Sequence, residues 1–82
     1  MTSSEFIQLS LSERMEVINQ KGLFVAQRSY YNHDINLYTI FGYFVEVWYA
    51  NFENRITKIQ IADRSLLEIH YLKNININSL LQ

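Results

Sequence analysis

Residues 43 to 50, Tyr-Phe-Val-Glu-Val-Trp-Tyr-Ala, constrain the fold of this chain more than any other stretch. Seven of the eight are apolar or aromatic, and the run is rich in β-branched and aromatic types. Such a run suits a pleated surface packed on at least one side. Turn residues flank it, Gly42 before and Asn51 to Asn54 after. The pattern predicts the central strand of a small antiparallel sheet.

The strands around it can be placed by turn chemistry. Leu23 to Tyr31 reads as a first strand, Asn32-His33-Asp34 as a turn, and Ile35 to Ile40 as a second strand. A two-residue loop at Phe41-Gly42 would place bulky Phe41 at positive φ, which is costly. A three-residue loop, Ile40-Phe41-Gly42, leaves only glycine in the left-handed region. It pairs Thr39 with Tyr43, Leu37 with Val45 and Ile35 with Val47, and puts those six on one face. Tyr38, Asn36, Phe44, Glu46 and Trp48 then share the other face. Arg55 to Ala62 reads as the fourth strand. With a loop over Ala50 to Asn54, Tyr49 pairs with Arg55, Val45 with Ile59 and Tyr43 with Ile61. Glu46 then opposes Lys58, a stabilising opposite-charge pair, and Trp48 opposes Ile56.

Helices are predicted at both ends. Ser3 or Ser4 can cap a first turn carrying Phe6, Ile7 and Leu9. Ser10 and Glu13 have the spacing of a capping box, and Leu11, Met15 and Ile18 share one helical face. Lys21 suits the helix C-terminus, and Gly22 a left-handed stop. The helical stretch, residues 3 to 21, fits either one bent helix or two short ones. Ser65 and Glu68 have the second capping-box spacing, with Asp63 a rival cap. Leu66 to Leu72 continue as a short helix ending near Lys73 and Asn74. In the tail, Ile75 and Ile77 alternate like an extended segment, and Asn78 can cap a turn holding Leu80 and Leu81.

The expected architecture is thus α+β: an N-terminal helix, a four-stranded antiparallel β-meander and a C-terminal helix, in a single domain over residues 1–82. One or both terminal helices should cover the Val45/Val47/Ile59 face. Tyr30-Tyr31-Asn32, the run Gly42 to Tyr49 and Ile56-Thr57-Lys58-Ile59 resemble a group of short bacterial proteins of uncharacterised function. The resemblance spans residues 11 to 72 and implies no activity or site.

Bulk properties narrow the functional classes. A chain of 82 residues buries only roughly 60% of its unfolded surface, so its stability is marginal. It has no cysteine, which excludes disulfides and cysteine–zinc sites and leaves oligomerisation as a stabilising device. The net charge of −1 argues against a nucleic-acid or anionic-membrane partner. Apolar runs fall far short of the ~20 residues that span a bilayer. Residues 1 to 7 lack a basic n-region and an apolar h-region, so a cytoplasmic location is expected. Two glycines provide no phosphate-cradling loop.

No catalytic signature or cofactor motif is present. His33 and Asp34 are ordinary turn residues. With Tyr30 and Tyr31 they are also the candidate site of a small ligand-binding or enzymatic domain. A metal site of His33, Asp34 and His70 lacks recognised ligand spacing. Glu46 reads as the salt-bridge partner of Lys58. The stronger functional candidate is an aromatic sheet face formed by Tyr38, Phe44, Glu46, Trp48, Ile56 and Lys58, suited to binding protein, self or other. The alternative is that the chain's own C-terminal helix or tail covers that face. The sequence therefore favours a non-catalytic protein-interaction module, as a homodimer, over an enzyme.

Overall fold

The computed structural model describes residues 1–71, and the expectations for Leu72 to Gln82 fall outside them. The N-terminal region forms two helices, α1 (Ser3–Ile7) and α2 (Leu11–Lys21). Each starts at a complete capping box. Thr2, rather than either serine after it, caps α1 with Glu5, and Ser10 caps α2 with Glu13. The Ser10 cap is extended, which breaks the helical run into two. The four strands are β1 (Leu23–Tyr30), β2 (His33–Ile40), β3 (Tyr43–Ala50) and β4 (Arg55–Ile61), in the order β1-β2-β3-β4. All pairings are antiparallel. Helix α3 (Arg64–Tyr71) follows. The architecture is the α+β meander expected from the pattern.

Gly22 is not a left-handed stop. Its φ is −79° and ψ 151°, so the chain leaves α2 directly in strand conformation. Glycine is needed for space, since a Cβ there would lie 2.7 Å from the Ile18 carbonyl oxygen. At α3 the rival cap operates. The Asp63 carboxylate accepts from the Leu66 amide at 2.9 Å, while Glu68 pairs instead with Arg64 one turn back.

Two hairpins are tighter than their turn residues suggest. His33 and Asp34 belong to β2, because Tyr30 pairs with His33 across a two-residue turn, Tyr31-Asn32, with Tyr31 at φ 52°. Ile40 pairs with Tyr43, so Phe41 (φ 52°) and Gly42 (φ 86°) form a two-residue turn with both φ positive. This displaces β2 by one residue from the three-residue-loop register and exchanges its faces. The left-handed conformation at Phe41 costs about 1–2 kcal/mol. Against it, the tight turn buries Ile40 to 2% exposure, worth about 1.5–3 kcal/mol. It also leaves Ile35 and Leu37 fully buried on the other face. Burial wins.

The β3–β4 register moves too. Val45 pairs with Ile61, Glu46 with Gln60, Val47 with Ile59 and Trp48 with Lys58. The ladder is then interrupted before Tyr49–Ile56 and Ala50–Arg55, closed by the loop Asn51–Asn54. This β-bulge changes the parity of β4 and sends Ile56 to the face opposite Trp48.

The sheet is covered on both sides. Phe6 of α1 and Ile18 of α2 pack on Ile40, Val45, Val47 and Ile59, the face expected to be covered. Leu67 and Tyr71 of α3 pack on Leu37, Phe44 and Ala62 on the opposite face. Each sheet face therefore carries apolar residues, and alternation along β2 could not reveal which set belongs with which helix.

The turn at Phe41-Gly42 yields a direct test. A Cβ at Gly42 would meet no atom within 4 Å, so Gly42→Ala incurs only the conformational cost of φ 86°, a loss of about 1 kcal/mol. Phe41→Asn, which favours the left-handed region, should instead match or exceed the wild-type midpoint in urea denaturation.

Candidate functional site

The centre of the α3 face is Glu46. The sequence places a carboxylate in the middle of an apolar strand, and the fold buries it completely. Five donors converge on it. Arg28 of β1 donates from Nε to Oε2 at 2.9 Å and from Nη2 to Oε1 at 3.3 Å. The Tyr71 hydroxyl of α3 donates to Oε2 at 2.6 Å. Gln60 of β4 and the Trp48 indole of β3 donate to Oε1 at 2.9 and 3.2 Å. Arg28 lies on the same face as Glu46 but two strands away. Its side chain crosses β2 over Ile35 and Leu37 to reach the carboxylate.

The expected Glu46–Lys58 salt bridge does not form. The shifted ladder puts Lys58 opposite Trp48, where its Nζ lies 4.0 Å from the indole ring centroid. Glu46 pairs with Arg28, the better choice for a buried carboxylate because its planar fork donates two bonds in fixed geometry. Burial alone would push the Glu46 carboxyl up. The hydrogen bonds from Arg28, Tyr71 and Gln60, with the Arg28 charge, more than offset that and hold it below its ordinary value. Burial, then the Glu46 charge and hydrogen bond, push the Tyr71 phenol up. The carboxylate is thus ionised, with every acceptor direction occupied. That suits a cross-brace between α3 and three strands, and leaves no free lone pair for proton transfer.

Beside this brace lies an aromatic patch. Trp48 is half-buried and is met by Tyr30 at 5.8 Å and His33 at 5.6 Å between ring centroids. Tyr30 in turn stacks edge-on against Tyr31 at 4.6 Å. Arg28 approaches the indole from one side at 5.4 Å, and Lys58 from the other. Tyr31 is 87% exposed and Tyr30 51%. Among the described residues, no ring of α3 joins Tyr30, Tyr31, His33 and Trp48.

Of the residues expected on one aromatic face, Phe44, Glu46, Trp48 and Lys58 do share it. Phe44 and Glu46 are buried under α3, so only Trp48 and Lys58 reach the surface. Tyr38 and Ile56 lie on the other face and pack against the core beneath α1 and α2, Tyr38 through the one-residue shift of β2 and Ile56 through the bulge. Tyr30, Tyr31 and His33, assigned from sequence to a separate hairpin site, join Trp48 instead. Tight-turn geometry is the reason. Once Tyr30 pairs with His33, both fall on the Trp48 face. Asp34 does not join them, because consecutive strand residues point to opposite faces. His70 is exposed on α3, and among the described residues no group of three His, Asp or Glu side chains is placed to hold a metal ion. A shallow groove of about 430 Å³ between α2 and β4 is lined by Leu11, Met15, Asn19 and Ile56, with Glu16 the one ionisable side chain among the described residues that line it. No helix among the described residues is long and apolar enough to cross a membrane.

Comparison with protein-family models, with curated proteins and with solved structures returns no match for this chain.

The brace predicts a strong, coupled stability effect. Glu46→Leu should cost about 3–5 kcal/mol, because it leaves the largely buried Arg28 unpaired. The double replacement Glu46→Leu/Arg28→Met should cost less than Glu46→Leu alone in urea denaturation. Acid titration supplies a second readout. The Glu46 pKa is depressed on folding, so its contribution is complete above the unfolded carboxylate value of about 4.3 and is lost as pH falls through the lower folded value. The Tyr71 pKa is raised on folding, so its contribution is complete below about pH 10 and is lost above it. Tyr71→Phe should therefore reduce the alkaline slope, leaving the part contributed by Tyr43, whose phenol burial also pushes up, while most of the acid slope survives.

Proposed function

We propose that this chain is a small non-catalytic protein-interaction module, acting as a homodimer in a cytoplasmic setting. Its partner-binding surface is the patch of Tyr30, Tyr31, Trp48 and Lys58. The observation that carries this reading is the combination at one end of the α3 face. Large, exposed aromatic rings are backed by Arg28 and by a carboxylate whose hydrogen-bonding capacity is already used. Tryptophan, tyrosine and arginine are the residues on which protein-binding energy concentrates, and here a rigid sheet and an ion-paired base hold them in place. Small size and a marginal core support self-association.

A second reading, a small ligand-binding or enzymatic domain at the His33/Asp34 hairpin, is favoured by one feature. His33 Nδ1 is buried and meets no hydrogen-bond partner among the described residues. The opposite orientations of His33 and Asp34 count against their acting together.

Tyr31 separates binding from folding. It is almost fully exposed and left-handed, a conformation asparagine tolerates well, so Tyr31→Asn should leave the melting temperature within a few degrees of wild type. The same variant should retain at least tenfold less of the proteins that wild-type bait recovers from the native cell. Identical recoveries by the two baits would remove the patch as the binding surface. Light scattering across a concentration series tests the dimer, and a strict monomer at high micromolar concentration rejects it.

A further inference from the structure

The two edges of the sheet differ in a way that names the dimer interface. The β4 edge is guarded. Arg14 of α2 donates to the Ile59 carbonyl, and the strand carries Arg55 and Lys58, both exposed. These are the devices by which proteins blunt an edge against pairing with another chain. The β1 edge has eight residues, no proline, and Arg28 as its one charged side chain. Arg28 is turned inward to Glu46, so its charge is neutralised within the same chain. The side chains that remain at the edge are apolar or uncharged: Leu23 is 69% exposed, Phe24 60% and Tyr30 51%, with Gln27 and Ser29 also exposed. A bulge between Phe24 and Ala26 leaves Ala26 to Tyr30 in regular register with β2.

Among the described residues, the layer of α1 and α2 also stops short of β1. The core beneath α1 and α2 draws on β2, β3 and β4 and takes no residue from β1. Phe24 therefore stands at the rim of that layer, edge-on to Tyr38 at 5.9 Å.

We infer that a second copy of this chain pairs with the β1 edge, β1 to β1 and antiparallel, giving a continuous eight-stranded sheet. In a two-residue hairpin the residues flanking the turn exchange both backbone bonds. Tyr30 and Arg28 thus bond inward to β2, and Gln27 and Ser29 turn their N–H and C=O outward. Two copies meet through those outward groups about a twofold axis at Gln27. That axis keeps the two Arg28 side chains from standing directly opposite each other, an arrangement that disfavours pairing. It sets the Phe24 and Tyr38 rings of both copies in the gap between the two helix layers. It also leaves both Trp48 patches on the same side of the sheet, free to engage a partner two at a time. The inference rests on the self-association part of the proposed function and assigns it the β1 edge, which shares Tyr30 with the patch.

The test combines light scattering with amide hydrogen exchange on the full chain. The wild type should be a dimer, with exchange protection at Gln27 and Ser29 that rises with protein concentration. Gln27→Pro removes an outward N–H and should give a folded monomer with Ser29 unprotected. Because proline can unsettle the strand, Ser29→Lys, a charged guard at an exposed position, should reproduce the shift with at least a tenfold weaker dimer. A dimer that survives both variants but is lost in Tyr31→Asn would overturn the β1 assignment while leaving self-association standing. A wild-type monomer whose Gln27 and Ser29 amides are protected independently of concentration would overturn both, and would assign the edge to the chain's own residues 72–82. A monomer with unprotected amides would also overturn both.

Discussion

A carboxylate taken fully out of water is stable in a protein only when charge and hydrogen bonds replace its hydration. Glu46 meets that requirement with donors from three strands and a helix: Arg28 of β1, Trp48 of its own strand, Gln60 of β4 and Tyr71 of α3. The rest of the α3 face depends on this arrangement. It fixes where α3 lies, because the Tyr71 hydroxyl must reach Oε2. It fixes Arg28 across β2, and it neutralises the one charge on β1. Replacing such a pair by apolar residues of similar volume is often neutral for stability, but here any shifted packing would strand a charge in an apolar layer. In a chain with two apolar sheet faces, that selectivity has a clear use.

The same interaction shapes the surface beside it. The Trp48 indole is held at one edge by Glu46 and flanked by two cations, which orients its ring before any partner arrives. Tyr30 and Tyr31 are set against it by the tight turn that follows β1. Rigid aromatic side chains lose little entropy on binding, so an ordered patch of this composition suits recognition better than proton transfer. The chemistry of the face thus divides in two. The Glu46 network is consumed in holding the fold, His33 Nδ1 is left without a partner among the described residues, and the aromatic area of Tyr30 and Tyr31 is presented outward.

Much of the fold was legible in particular residues. The run from Tyr43 to Ala50 identified the central strand, Gly42 and Asn51–Asn54 its ends, and the Ser10/Glu13 spacing the start of α2. These signals are local: each depends on a few neighbours and a turn or cap with its own geometry. The candidate site was less legible. Trp48, Lys58, Phe44 and Glu46 were assigned to one face, and they share it. Tyr38 and Ile56 were placed there as well, through a loop one residue too long and a bulge that no residue type announces. Tyr30, Tyr31 and His33 were grouped with one another but not with Trp48.

The sequence by itself determined the elements and their order, because periodicity, caps and turns are properties of short segments. It also determined that Glu46 would need partners, because a carboxylate in an apolar strand cannot stand alone. Only the tertiary structure decided which partners. Register is set by total burial: a left-handed Phe41 is accepted because Ile40 is thereby buried under α1 and α2, and Ile35 and Leu37 on the opposite face. That choice, made by the packed core, brings His33 onto the Trp48 face, and the two-residue turn at Tyr31-Asn32 then brings Tyr30 there and the Arg28 guanidinium to Glu46.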